Sequence, residues 1–271
     1  MRKISILGIT CVGLSFSIPV FSKAEFPRPP LCELKQAKSQ EINQFEMSFR
    51  SEFCKNAESD SCGDRWKNAK LFLERALADS RITDVGTISY MFGTIYAETE
   101  SKNFSPSTIE VIGEQNKDNG YVKDGFFGRG WIQLTHKDKY EKVGRILEKE
   151  LLKNPDLALE VNNAYEILFR GMSDGWIEVY RTSINGAVAR KVPIKLGDFV
   201  SSKEVNYELA RAVINANCKK VKGKCSPPNI EYRNGLFIPP GESLDASDKA
   251  AKGARKMESI LCRTSNDNNK K

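Results

Sequence analysis

The 271-residue chain has a single histidine, His136, and no Cys-x-x-Cys pair. Tetrahedral zinc sites need closely spaced thiolate or imidazole ligands, so a structural zinc centre is not expected, and neither is any other metal or cofactor. No dense Lys/Arg cluster runs along the chain, which argues against a phosphate-binding stripe and hence against a nucleic-acid partner. Alternating β-branched segments are scarce, leaving room for short strands only, around Gly130–Leu134 and Val179–Ile184. There are no internal repeats. Beyond the N-terminal segment no long apolar run occurs, so stable membrane insertion is not expected.

That N-terminal segment is the one apolar stretch present. Arg2 and Lys3 precede a run from Ile4 to Val20, and Ser22-Lys23-Ala24 supplies a small-x-small cleavage pattern. This reads as a signal peptide over 1–24, cleaved after Ala24, and places the protein outside the cytoplasm, secreted or periplasmic. Cys11 lacks the large aliphatic residue usual three places before a lipidated cysteine, which disfavours a lipid anchor. Cleavage leaves 39 basic against 35 acidic residues, a net charge of +4. So mild an excess fits weak attraction to an anionic cell-wall polymer. Six cysteines remain, Cys32, Cys54, Cys62, Cys218, Cys225 and Cys262, and an even count in an exported chain reads as disulfides. Proximity suggests Cys54–Cys62 and Cys218–Cys225, leaving Cys32–Cys262 to tie the ends together.

The pattern after the proline-rich lead-in (residues 25–30) is repeatedly helical: 33–56, 64–79, 84–99, 139–153, 156–171, 205–220 and 245–262. Between them, residues 101–130 form a long irregular stretch with five glycines, the kind of loop that compact domains reserve for function. Residues 221–244 are a second loop-like stretch, and the tail from Ser265 is polar.

The most apolar helix ends in a carboxylate. At about 100° per residue, Glu98 falls on the stripe made by Ile88, Met91 and Ile95, while Glu100 points away, towards water. A carboxylate on a buried face at a helix C-terminus is disfavoured as an anion by desolvation and by the helix dipole. Both effects favour a proton donor at neutral pH. The competing reading is a helix end that simply emerges into solvent.

Downstream runs Phe126-Phe127-Gly128-Arg129-Gly130-Trp131-Ile132-Gln133-Leu134-Thr135-His136. It resembles the aromatic-Gly-Arg-Gly-x-x-Gln-Leu-Thr/Ser stretch of glycoside hydrolase family 19, which holds plant-type chitinases and phage-type endolysins. Further resemblances follow in order. Ala97-Glu98-Thr99 is similar to the family's His-Glu-Thr, and Phe104-Ser105-Pro106-Ser107-Thr108-Ile109-Glu110 to a Phe-x-Pro…Glu segment. Asn154-Pro155-Asp156-Leu157-Ala158, Arg170–Trp176 and Ala210–Asn215 resemble later motifs of the endolysin-like branch.

The resemblance implies a mainly α, lysozyme-like, two-lobed helical domain with a substrate cleft. It covers about 85–216 of a single domain over 25–271, with helical extensions at 31–80 and 217–264. It implies inverting hydrolysis of a β-1,4-linked N-acetylglucosamine polymer, peptidoglycan or chitin, with Glu98 as acid and a loop carboxylate as base. Glu110 is the choice for that base and Glu114 the alternative. Arg129, Gln133, Thr135 and Asn215 are the implied substrate-binding residues, although Arg129 also fits a buried ion pair. The motifs and the missing cysteine-rich chitin-binding module lean towards peptidoglycan. Three departures stand out: Ala97 in place of the family's histidine, Lys139 in place of an asparagine and Ala216 in place of a glycine. The first two favour an alternative, a catalytically weak or inactive wall- or chitin-binding protein on the same scaffold.

Overall fold

The computed structural model describes residues 28–55, 59–114, 117–181, 190–210, 213–214, 220–221, 224–225, 231–233, 236–238 and 244–263. Among these the chain is mainly helical. The helices are α1 (Leu34–Lys38), α2 (Phe45–Phe53), α3 (Ser59–Ala78), α4 (Val85–Thr99), α5 (Gly120–Lys123), α6 (Lys137–Leu147), α7 (Val161–Ser173), α8 (Tyr207–Ala210) and α9 (Leu244–Cys262). Three antiparallel two-stranded ribbons accompany them: β1 (Ile177–Arg181) with β2 (Arg190–Ile194), β3 (Lys220–Val221) with β4 (Lys224–Cys225), and β5 (Glu231–Arg233) with β6 (Leu236–Ile238).

Central to the fold is α4. Asp84 caps its start, accepting from the Thr87 N–H at 2.7 Å and the Thr87 hydroxyl at 2.9 Å, which satisfies donors that a helix N-terminus otherwise leaves orphaned. From Val85 to Ile95 every residue but Thr87 is buried, so the helix is covered on nearly all sides. Phe49, Phe53, Phe72 and Phe92 form an aromatic cluster on one of them. On another, α9 crosses in near backbone contact: a Cβ placed on Gly93 would lie 2.2 Å from the Ala250 carbonyl oxygen and 2.8 Å from the Ala254 nitrogen. Small residues make this crossing possible, with Ala250, Ala251 and Ala254 all fully buried.

The two ends of the described chain are stapled beside this crossing. Cys54–Cys62 is disulfide-bonded, as proximity suggested, and so is Cys32–Cys262, the pair left over, whereas Cys218 lies outside the described residues. Glu258, fully buried on α9, receives the Arg28 guanidinium at 2.5 Å and the Leu31 N–H at 2.8 Å.

A second, smaller apolar cluster joins Phe126, Leu134, Tyr140, Val143, Leu151, Ala158 and Ile167 under the glycine-rich segment. Ile132 packs against both clusters.

Where α4 stops, Asn103 and Phe104 adopt φ of 56° and 61°, and the Phe104 N–H donates back to the Thr99 carbonyl at 3.1 Å. A left-handed phenylalanine is strained. It is held by the Trp131 indole N–H, which donates to the Phe104 carbonyl at 2.8 Å, and by Asn68, whose amide donates to the Asn103 carbonyl at 2.9 Å.

Several expectations need correction. Gly130–Leu134 is a tight turn rather than a strand. Gly130 and Gln133 take φ of 74° and 54°, and the loop folds back so that Arg129 and Leu134 exchange both backbone hydrogen bonds. The helix expected over 33–56 is broken at residues 39–44, where Glu41 and Gln44 cap a new start. Leu147 ends the helix expected to reach 153, because Glu148 turns left-handed at φ 54°. The Val179 strand is present as β1, and residues 182–189 lie outside the described set.

An ionic knot closes the α3–α4 corner. Arg81 binds Asp79 at 2.7 Å and Glu166 at 2.6 Å, and the Tyr165 hydroxyl donates to Asp79 at 2.9 Å. The Arg81 guanidinium holds the Asp79 carboxyl below the usual carboxylate range. Stability from this group is therefore present above the unfolded value of about 3.9 and lost as pH falls through the lower folded value. Asp79→Asn is expected to flatten that part of the acid-unfolding curve, measured by denaturant midpoints from pH 2 to 6. An unchanged curve would show that the contact carries no linkage.

Candidate active site

Glu98 is the penultimate residue of α4, two residues beyond the point where the helix leaves full burial. Ile88, Met91 and Ile95 are fully buried, as the stripe implied. Glu98 itself is half-buried, so the fully desolvated carboxylate expected from periodicity is not what forms. The strained turn at Asn103–Phe104 ends the helix early enough for its last turn to emerge. Glu100 also departs from expectation: instead of pointing to open water it pairs with Lys249 of α9 at 3.0 Å, and Arg65 of α3 lies 4.0 Å away.

Glu110 sits on the loop after that turn, in an extended stretch tied to the glycine-rich segment. Its N–H donates to the Gly128 carbonyl at 2.8 Å, and the Gly130 N–H donates to the Thr108 carbonyl at 2.9 Å. Its carboxylate is gripped at both oxygens. Oε2 accepts the Gly128 N–H at 2.8 Å, and Oε1 accepts the Tyr121 hydroxyl at 3.1 Å. Gly128 makes the first contact possible, because a Cβ there would come within 3.2 Å of the Glu110 Cβ and 2.9 Å of the Gln133 Oε1. Glu114, the alternative, is exposed and paired with Lys117 of its own loop.

Arg129 is 6 % exposed and turned inward. Its Nε donates to Asp156 at 2.7 Å, and its Nη1 reaches the carbonyls of Gly125 (3.0 Å) and Phe127 (3.1 Å) and the Tyr140 hydroxyl (3.2 Å). The guanidinium lies 3.9 Å from the centre of the Phe127 ring. Tyr140 donates its own hydroxyl to the Phe127 carbonyl at 2.9 Å, and burial pushes its phenol up. This is the ion-pair arrangement weighed against sugar contact in the sequence. It ties the glycine-rich segment to the Asn-Pro-Asp motif.

Gln133 spends its amide donors on the Gly130 and Thr108 carbonyls, at 2.8 and 3.2 Å, leaving Oε1 beside Gly128. Thr135 donates to the Gln133 carbonyl at 2.8 Å. Trp131 is fully buried and belongs to the core; Phe127 remains half-buried. Lys139 is exposed, and Asn215 lies outside the described residues. Among the described residues no group of His, Cys, Asp and Glu could hold a metal ion, and no helix is long and apolar enough to cross a membrane.

Tyr121, Tyr140 and Asp156 were not singled out from the sequence. Asp156 stood inside the quoted Asn154–Ala158 motif without a role of its own. Tyr121 gave no sign, since its partner Glu110 is eleven residues away across an irregular stretch.

Gly128→Ala is expected to fold, because the closest atom its Cβ meets is the end of the flexible Gln133 side chain. It should push that amide and the Glu110 carboxylate out of place and cost about tenfold or more in turnover. Kinetics beside a thermal melt checks this; full activity would show that the close approach is dispensable.

A buried central helix ending in one glutamate, with an ordered loop holding a second carboxylate, is a lysozyme-like helical arrangement. The chain belongs to the chitinase class I family, glycoside hydrolase family 19, whose family model matches residues 78–224. Among curated proteins it is similar to an acidic 27 kDa endochitinase of Solanum lycopersicum, with 24 % identity over 49 % of this chain and 56 % of that protein. An acidic endochitinase of Petunia hybrida is 24 % identical over 58 % of this chain and 65 % of its own length. Acidic endochitinase Q of Nicotiana tabacum is 27 % identical over 45 % and 50 %. The chain thus spans between half and two thirds of the length of these relatives. No solved structure matches it.

Proposed function

We propose that the protein is an exported glycoside hydrolase that cleaves β-1,4-linked N-acetylglucosamine polymers with inversion. Glu98 gives its proton to the leaving glycosidic oxygen as the bond from that oxygen to the anomeric carbon breaks. Glu110 takes a proton from the water whose oxygen bonds to the same carbon from the opposite face. The observation that carries this reading is the Glu110 carboxylate. It is held at both oxygens by the glycine-rich segment and Tyr121, inside the span matched to the family. Glu98, half-buried at a helix end, is open enough to meet a substrate. Inversion needs room for water, with carboxyl groups roughly 6.5–9.5 Å apart, which suits one carboxylate on a helix and the other on a loop.

In this reading Arg129 shapes the glycine-rich segment from within. Gln133 offers its remaining acceptor towards the substrate side, Thr135 fixes that residue's backbone, and Asn215 contacts sugar. The relatives' names favour chitin; the mild positive charge of the chain favours an anionic wall. The two stapled disulfides accord with export and with cleavage after Ala24.

Incubating the protein with purified peptidoglycan sacculi and with chitin oligomers separates the substrates, and the anomer of the freshly released sugar reports stereochemistry. Release of α-anomer product from either polymer supports the proposal. Retention of configuration would overturn the mechanism. Binding to both polymers without release would overturn catalysis and leave the wall-binding reading, which Ala97 and the exposed Lys139 favour.

A further inference from the structure

We propose that Tyr121 is a positioning residue for the Glu110 carboxylate, fixing the plane in which that group takes up the water proton. The inference rests on the reading of Glu110 as the base. A glutamate side chain turns about three single bonds, and one hydrogen bond fixes one oxygen while leaving the carboxylate plane free to swing about it. The Gly128 N–H supplies that first contact at 2.8 Å. The Tyr121 hydroxyl supplies the second, to the other oxygen, at 3.1 Å. Each carboxylate oxygen accepts in two directions, so the two donors leave one open on each for water.

Tyr121 is not where it is because of core packing. It lies on α5, a single turn none of whose residues is buried. What holds it is the same segment that carries Gly128. The Phe126 N–H donates to the Tyr121 carbonyl at 2.8 Å, and the His136 N–H donates to the Phe126 carbonyl at 2.8 Å. The His136 ring meets the Tyr121 ring edge to face, with centroids 4.9 Å apart. Both donors to Glu110 therefore ride on one closed stretch, residues 121–136, and keep a fixed spacing. Tyr121 stands outside the motifs by which the family resemblance was recognised.

The test compares the wild type with Tyr121→Phe, Glu110→Gln and the double variant, measuring kcat, KM and Tm on the polymer that is cleaved. Tyr121→Phe is expected to lower kcat about tenfold, keep KM within about twofold and leave Tm within about 1 °C. In the Glu110→Gln background, itself slowed by roughly a hundredfold or more, the same change should cost nothing further, because the hydroxyl acts only through the carboxylate. Unchanged kcat in Tyr121→Phe, or an equal loss in both backgrounds, would overturn the positioning role while leaving Glu110 as the base. Near-normal turnover in Glu110→Gln alone would overturn the base assignment, and the proposal with it.

Discussion

Glu98→Gln is expected to lower turnover by roughly 10³-fold, within the range that a positioned general acid contributes. The replacement is nearly isosteric at a half-buried position, so Tm should stay within about 1 °C and the loss can be assigned to chemistry. An amide cannot hand a proton to the leaving oxygen, and breaking a glycosidic bond to an unactivated sugar depends on that proton. A substrate with an acidic leaving group, such as a nitrophenyl glycoside, needs little protonation. Its cleavage should fall far less, and the difference between the two substrates isolates the acid step. Equal losses on both would assign Glu98 a different role. Wild-type turnover on the natural polymer would remove it from the mechanism.

Gly93→Ala is expected to destabilise the fold by about 3 kcal/mol or more, at the upper end of overpacking costs. Alanine improves helix propensity by about 1 kcal/mol, so propensity alone would predict a gain. The crossing decides otherwise. The new methyl would sit 2.2 Å from the Ala250 carbonyl oxygen, a backbone atom inside a helix. Relief requires α4 and α9 to part by about an ångström, and that opens the contacts of Ala250, Ala254 and Met257, all fully buried. For a chain of this size the melt should fall by on the order of 10 °C. A rise in Tm would show that the helices have slack and that propensity wins.

The helices were legible because their apolar residues recur with the helical period, and α4 and α9 stand within a residue of where the pattern put them. What the pattern could not carry was anything set by distant residues. The Gly130–Leu134 stretch reads as a strand locally, yet Gly130 turns left-handed so that its Cα can lie against the Ala158 carbonyl. The stripe through Ile88 and Ile95 points at Glu98 correctly, but the depth of burial there depends on how the chain turns at Phe104. That turn is pinned by Asn68 and Trp131 from other parts of the chain. Glu100 looked solvent-facing because its two cationic partners, Arg65 and Lys249, come from segments far away in sequence. Arg129 showed its chemistry in the sequence as two open alternatives, and only the positions of Asp156 and Tyr140 give its inward geometry. Asn215 stays a sequence-level assignment.

The bond between Cys32 and Cys262 joins residues 230 apart and so turns nearly the whole described chain into a covalent ring. A ring must be cut twice before it can shed a fragment. A protease that nicks one surface loop between those cysteines would leave both pieces tethered, with α4 still clasped between α9 and the aromatic cluster. Damage at a single bond then need not mean loss of the molecule.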